Sequence, residues 1–487
     1  MTAGPTPGIG DPTAVPRVHI VGVGGAGMSA IATVLHAMGH EVTGSDLRES
    51  GVTDRLRSLG IGVAIGHAAG HVEGADLVTH SSAVAATNPE LIQAHRLGVP
   101  VLNRAETLAG IAALKRCIAV AGTHGKTTTA SMLSLILVEA GLHPSFLIGG
   151  EVNEIGTNAV WDAGEWIVVE ADESDGTFLQ LVPDIAVVTN VEADHLDHYG
   201  SFDAVRSAFA EFLGVARHRV VGGDDVEART IGQAVGADIV GLGTDATYTM
   251  TAVATGRSSI AFDLVGPDGS LAAHLAVAVP GIHNAKNAAV AAVAALAAGV
   301  APDAAARALA RFGGVARRFE FRGELDGVTY VDDYAHLPTE VRAALAAARN
   351  GAWGRVVVVF QPHRYTRTAE LGGEFGEAFG DADVIVLTDV YGAGEAPIPG
   401  VSGRLVADAV RRARPVVEVR YVPGRADLVA EVGSLLRPGD LCLTLGAGDL
   451  TSLPDELMAA ASTSPGESDG PGAPGGPRGK ATEDGAP

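Results

Sequence analysis

The stretch Cys117-Ile118-Ala119-Val120-Ala121-Gly122-Thr123-His124-Gly125-Lys126-Thr127-Thr128-Thr129 runs an apolar strand into a glycine-bounded loop and on into a helix. Backbone N–H groups and a helix N-terminus attract anionic oxygens, Lys126 adds a full positive charge, and the Thr127 hydroxyl suits a magnesium ion. The segment therefore reads as a triphosphate site. Met132, Leu133, Ile136 and Leu137 follow at helical spacing, and Gly141 closes the helix. The usual phosphate-loop pattern has a glycine where Val120 stands here, so the loop is a shortened Gly-Thr-His-Gly-Lys-Thr-Thr variant.

Upstream, the strand Val18-His19-Ile20-Val21 enters the run Gly22-Val23-Gly24-Gly25-Ala26-Gly27, a helix extends to Gly39, and a second strand covers Glu41 to Thr43. This is the first βαβ unit of a doubly wound sheet. Gly22, Gly24 and Gly27 satisfy the dinucleotide fingerprint, with Asp46 where a ribose-binding acid is expected. On this motif alone, NAD and another nucleotide diphosphate such as a UDP-sugar are both open readings. Strands at Leu77 to Thr79 and Val99 to Leu102 complete a small domain.

Downstream of the phosphate loop, strands Trp166 to Val169 and Ile185 to Val188 each end in polar residues, where ligand sites form in α/β folds. Glu170 opens Glu-Ala-Asp-Glu-Ser-Asp (170–175) and is the magnesium candidate. Thr189-Asn190-Val191-Glu192-Ala193-Asp194-His195-Leu196-Asp197 gathers acids around His195, which reads as a second metal shell. His36, His40, His67 and His71 lack such a setting and read as surface or turn histidines. The alternating segments from 239 to 279, with the turn Gly266-Pro267-Asp268-Gly269, suggest an antiparallel insertion. Pro280-Gly281-Ile282-His283-Asn284-Ala285-Lys286-Asn287 then opens an alanine-rich helix, its asparagines suited either to an adenine edge or to capping.

A third set of strands, Tyr330 to Val331, Val356 to Phe360, Val384 to Leu387 and Leu441 to Leu445, reads as another parallel α/β unit. After its second strand, Arg364 and Arg367 stand three apart, a spacing that can clamp a carboxylate.

At 487 residues the chain exceeds one ordinary core and suggests three domains. The boundaries read as an unstructured 1–16, domains at 17–110, 111–314 and 315–461, and a Ser/Gly/Pro-rich tail at 462–487. A net charge of −23 argues against nucleic acid or an anionic membrane surface as the main partner. With only four lysines in the chain, one inside a nucleotide loop carries weight. The two cysteines, Cys117 and Cys442, read as small core residues. With neither a secretory signal nor a membrane-length apolar run, the expected location is cytoplasmic.

Seven segments in order, Gly122 to Thr128, Glu170 to Asp175, Thr189 to His195, His283 to Asn287, Arg317 to Phe319, Asp332 to His336 and Pro362 to Arg367, resemble the Mur ligases from Arg17 to about Ala461. The resemblance implies three α/β domains: a Rossmann-like N-terminal domain, a P-loop ATPase-like central domain and a Rossmann-like C-terminal domain. Within the family it is strongest to the member that joins L-alanine to UDP-N-acetylmuramate in peptidoglycan precursor synthesis, with ATP as co-substrate and Mg2+ as cofactor. It implies that the sugar's carboxylate takes the γ-phosphoryl group of ATP and that the amine of L-alanine attacks the acyl phosphate.

Residue by residue, the resemblance assigns the UDP-sugar to Gly22, Gly24, Gly25, Gly27, Asp46, Ser81 and Ser82, overturning the NAD reading. ATP falls to Gly122, Thr123, His124, Gly125, Lys126, Thr127, Thr128, His283, Asn287, Arg318 and Asp333, with Lys126, Glu170, His195, Arg318 and Asp333 catalytic. Thr127 and Glu170 would share one metal and His195 hold the other, while Tyr334, His336, Arg364 and Arg367 seat alanine. Two departures stand out: Leu337 occupies a position where many relatives carry a second histidine, and no lysine lies between Lys126 and Lys286 to be carbamylated. The expected assembly is a monomer or weak homodimer. The other readings are a ligase for a preformed tripeptide, an NAD-dependent oxidoreductase and a non-catalytic nucleotide-binding regulator.

Overall fold

A computed structural model describes residues 15–463 apart from 175, 257, 258 and 352, with the side chains of Asp197 and Thr463 also outside the described set. The terminal segments read as unstructured fall almost wholly outside it. The last helix, Leu453–Thr463, runs two residues into the segment read as tail.

Three sheets follow one another along the chain. The first orders its strands Gly62–Ile65, Glu41–Asp46, Arg17–Val21, Leu77–His80 and Val101–Asn103, all parallel. The central sheet has ten strands, and its phosphate-loop strand, Arg116–Ala121, lies between Ile185–Val188 and Trp166–Glu170, parallel to both. That order decides the site, because the loops leaving the carboxyl ends of these three neighbours must converge. Beyond them, Tyr248–Thr255, Ile260–Val265 and Leu271–Val277 form the antiparallel arm that the alternating segments foretold.

The third sheet is not purely parallel, as its sequence suggested. An edge strand, Glu320–Leu325, pairs antiparallel with Val328–Asp333 through Asp326-Gly327, both at positive φ (52° and 75°). This is the backbone of a two-residue hairpin turn that Asp-Gly favours. The other strands, Asp440–Leu445, Arg355–Phe360, Val384–Leu387 and Glu418–Tyr421, continue in parallel.

The helix after the phosphate loop, Lys126–Glu139, is buried at every position from Thr127 to Leu137. It is covered on one side by the central sheet and on the other by the alanine-rich helix Ile282–Ala297, whose small side chains let the two pack closely. The helix Ala26–Ala37 packs on the last two strands of the central sheet, Ser145–Val152 and the edge strand Thr157–Val160, joining the first unit to the second. Cys117 and Cys442 are buried and free. Among the described residues no helix is long and apolar enough to cross a membrane.

Candidate active site

Gly122 and Gly125 bracket the phosphate loop at φ +131° and +78°. A Cβ on Gly122 would overlap Thr189 Oγ1 and stand 3.0 Å from Thr189 N, and one on Gly125 would stand 2.5 Å from Asn287 Oδ1. The loop is clasped from the neighbouring strand end. Thr123 N donates to Asn190 O (3.1 Å), His124 N to Asn190 Oδ1 (2.8 Å), and Glu192 N to Thr123 Oγ1 (2.9 Å).

Lys126 has an acceptor for each of its protons: Gly122 O at 2.7 Å, Thr123 O at 3.3 Å and Glu173 Oε1 at 2.7 Å. Burial works against its charge, but Glu173, Asp172 and Glu170 together hold its pKa above the ordinary lysine value. Beside it the Thr127 hydroxyl donates to Glu170 Oε1 (2.9 Å), and Glu170 Oε2 accepts the N–H of Gly149 (2.6 Å). A hydroxyl and a carboxylate oxygen this close form the kind of sparse, hard donor set magnesium uses alongside phosphate oxygens and water.

His195, at φ +55°, has its Nε2 3.4 Å from Asp194 Oδ2. Burial lowers its pKa despite Asp194, so its ring is neutral, the form that ligates metals. The crowded metal shell expected around it does not form. Among the described residues no three His, Cys, Asp or Glu side chains are placed to share a metal, and Glu192 turns away to His124. Asp175 and the side chain of Asp197 lie outside the described residues.

One cavity, of about 330 Å³, opens beside Gly125 and Thr128 and is lined by His283, Asn287, Lys286, Arg318 and Asp333. Burial first, and then the charges of Arg318 and Lys286, push His283 down to about 4, leaving a neutral ring. Of the two asparagines at this helix start, Asn284 is structural, its Nδ2 donating to Pro280 O at 2.7 Å. Asp333 is pushed up to about 6 by burial. Its oxygens accept the N–H groups of Phe319 and Ala335, each at 2.7 Å, so it orients the segment that carries Arg318.

A second cavity, of about 660 Å³, runs from Ala26 and Gly27 past Lys126 and Glu170 to Tyr334, His336 and Arg367. All three units line it. The two cavities meet at Arg318 and Glu340, which line both. Glu340 was not singled out from sequence, yet its Oε1 lies 3.1 Å from His124 Nδ1 and its Oε2 accepts the N–H groups of His336 (2.8 Å) and Leu337 (3.1 Å). His124 Nε2 in turn lies 3.2 Å from Glu192 Oε2. With a carboxylate on each ring nitrogen, His124 is pushed up to about 9 even though burial opposes its charge. Thr339 and Arg104, the latter paired with Asp172 at 2.8 Å, were missed too, each being a lone residue without a tell-tale spacing, while Asp172 and Glu173 stood in the acidic segment without a role of their own.

The structure adds to or alters what several sequence-stated positions do. Arg364 and Arg367 do not form a clamp: Arg364 precedes its helix at φ +69° with an exposed side chain, whereas Arg367 reaches inward to His363 Nδ1 (3.4 Å) and Asp194 (3.7 Å). Asp46 holds the glycine turn, its Oδ2 accepting the Gly24 N–H at 2.8 Å. His67 and His71 are no mere surface groups, because both face the buried carboxylate of Glu90. Of the remaining first-unit positions, Gly22 backs onto Ser81, Gly27 faces Arg104, Gly25 stays open, and Ser82 is exposed.

A phosphate-loop α/β unit flanked by two further α/β units, with cavities that draw on all three, defines a three-unit nucleotide-dependent enzyme architecture. The chain belongs to the Mur ligase family: its catalytic-domain profile matches residues 17–116, its middle-domain profile 120–295, and its glutamate ligase domain profile 317–448. The chain is 47% identical over 455 residues to the UDP-N-acetylmuramate-L-alanine ligase of Anaeromyxobacter dehalogenans, covering 91% of this chain and 97% of that one. It is likewise 47% identical over 448 residues to the enzyme of that name from Rubrobacter xylanophilus, covering 91% and 99%. The crystal structure of the UDP-N-acetylmuramate-alanine ligase from Thermotoga maritima superposes with a TM-score of 0.79 at 29% identity, over 92% of this chain and 99% of that chain.

Proposed function

We propose that the protein joins L-alanine to UDP-N-acetylmuramate at the expense of ATP, releasing ADP and phosphate, in the cytoplasm. The observation that carries this reading is the meeting of a phosphate-loop cavity and a larger acceptor cavity at Arg318 and Glu340, in a chain 47% identical to ligases of that name over 91% of its length. The unit at 17–110 takes the UDP-sugar, 111–314 takes ATP, and 315–461 takes the amino acid.

In this reading the adenosine lies against His283 and Asn287, and the triphosphate runs over the loop to Lys126. The sugar's carboxylate oxygen attacks the γ-phosphorus, ADP leaves, and an acyl phosphate remains. Lys126 and Arg318 neutralise charge that builds on the transferred group. Magnesium, held by Thr127 and Glu170 and at His195, would supply further neutralisation of phosphate oxygens. Arg367 takes the alanine carboxylate, with Tyr334 and His336 alongside. The uncharged amine attacks the acyl carbon, phosphate departs, and the amine's second proton passes to solvent. Packing of the third unit over the loop keeps water from the acyl phosphate.

The test is phosphate release by the purified chain with ATP, magnesium and UDP-N-acetylmuramate, comparing no acceptor, L-alanine and the L-Ala-γ-D-Glu-diaminopimelate tripeptide. Release that requires L-alanine is the expected result; release that requires the tripeptide, or none with any acceptor, overturns the reading. Gly122→Ala is expected to raise the KM for ATP at least about tenfold, because a side chain at φ +131° meets Thr189 and the strain is of order 1–3 kcal/mol. Its KM for the UDP-sugar should stay at the parent value, and an unchanged KM for ATP would refute the loop's role.

A further inference from the structure

Glu90, at the start of the helix Pro89–Leu97, is wholly buried in the first unit, yet it belongs to no part of the mechanism above. Its Oε2 accepts the Ser45 hydroxyl at 2.6 Å, and its Oε1 faces His71 Nδ1 at 2.6 Å and the Ala68 N–H at 3.2 Å. His67 Nδ1 lies 3.3 Å from Oε2 and 3.0 Å from Ser45 Oγ. Burial alone would raise such a carboxyl, but His19, whose Nε2 lies 3.7 Å from Oε2, together with Ser45, His71 and the Ala68 N–H holds it down at about 2, so it is charged.

The cluster sits under the glycine turn. Ser45 O accepts the N–H groups of Gly22 (2.8 Å) and Val23 (3.0 Å), and the next residue, Asp46, holds Gly24 N (2.8 Å) and, through its carbonyl, Gly66 N (2.8 Å). One carboxylate thus ties together the carboxyl ends of the strands Glu41–Asp46 and Gly62–Ile65 beside the turn leaving Arg17–Val21, the edge where a nucleotide binds in such a sheet. It also decides proton positions. The single Ser45 proton goes to Glu90, so His67 Nδ1 must be a donor; His71 Nδ1 donates to Glu90 directly. In their neutral forms both rings therefore keep Nε2 as an acceptor.

We infer that Glu90 is a positioning residue for the sugar-nucleotide site, fixing the glycine turn through Ser45 and setting His67 and His71 to accept hydrogen bonds from a uridine's N3–H or ribose hydroxyls. The inference rests on the UDP-sugar reading of the first unit. Glu90→Gln keeps the shape but loses the charge and puts an N–H2 donor against donors.

Titration calorimetry with UDP and steady-state kinetics on the full chain test it. The variant should bind UDP about tenfold more weakly, with the KM for UDP-N-acetylmuramate raised alike, as expected for one lost charge-assisted hydrogen bond. The KM values for ATP and L-alanine, and kcat, should stay within about twofold, a split that loss of fold would not produce. Unchanged UDP affinity in the folded variant overturns the inference, as does a uniform change in all constants accompanied by a fallen melting temperature. Should Glu90→Gln not fold, Ser45→Ala replaces it, with UDP binding expected about threefold weaker and equal binding overturning the inference. A parent chain that binds no UDP at all overturns instead the reading beneath it.

Discussion

A Lys126→Met chain is expected to release phosphate, with ATP, UDP-N-acetylmuramate and L-alanine present, at about one thousandth of the parent rate or less. Lys126 is the one lysine of the loop, and its Nζ lies among Gly122 O, Thr123 O and Glu173 Oε1, on the wall of the larger cavity. A transferred phosphoryl group carries its charge on oxygens that such a preset ammonium meets without rearrangement. Methionine fills the same tunnel and offers nothing to them. The substitution also strands Glu173, 4% exposed and with Oε2 lacking a partner among the described residues, so stability should fall as well. Adding Glu173→Gln to Lys126→Met separates the two effects: stability should recover while activity stays lost. Activity above about a tenth of the parent rate in the single variant would remove Lys126 from the chemistry.

Most of the residues legible in the sequence share one property: each lies at or a few residues past the carboxyl end of an apolar strand. Lys126, Thr127, Glu170 and His195 could be named because strand order in an α/β sheet brings such loops together whatever the details between them. The first unit was legible for the same reason, its glycine turn being contiguous. Glu90, Glu340 and the Arg104–Asp172 pair were not, since each meets its partners from a distant element and no spacing announces it. One misplacement has a local cause. Residues three apart share a helix face only if both are helical, and Arg364 at φ +69° is not yet in the helix that holds Arg367. Asp46, at the sequence separation of a ribose ligand, also accepts the Gly24 N–H of the turn beside it, a contact no spacing announces. The antiparallel edge at Glu320–Leu325 was announced by Asp326-Gly327, a hairpin signal hidden between short strands.

Replacing Glu340 with glutamine is expected to lower kcat/KM for both ATP and L-alanine about a hundredfold while sparing the affinity for UDP. Glu340 is the carboxylate common to the two cavities and the bridge from the third unit to His124 in the phosphate loop. An amide cannot replace it. Its oxygen can serve either His124 or the N–H groups of His336 and Leu337, and whichever side receives the NH2 faces another donor. The same contact sets a pH limit on closure. His124, with Glu340 on Nδ1 and Glu192 on Nε2, is doubly protonated at neutral pH, its pKa raised from 6.5 to about 9. A raised cationic pKa contributes stability that is full below the unshifted value and is lost as pH rises through the shifted one. ATP affinity measured at equilibrium, free of the amine's own titration, should therefore be greatest below about pH 6.5, weaken as pH rises from there and level off above about pH 9. In Glu340→Gln that limb should move to lower pH, because one of the two charges holding the proton is gone. A limb that stays in place in a variant with intact UDP binding would show that the latch is not His124.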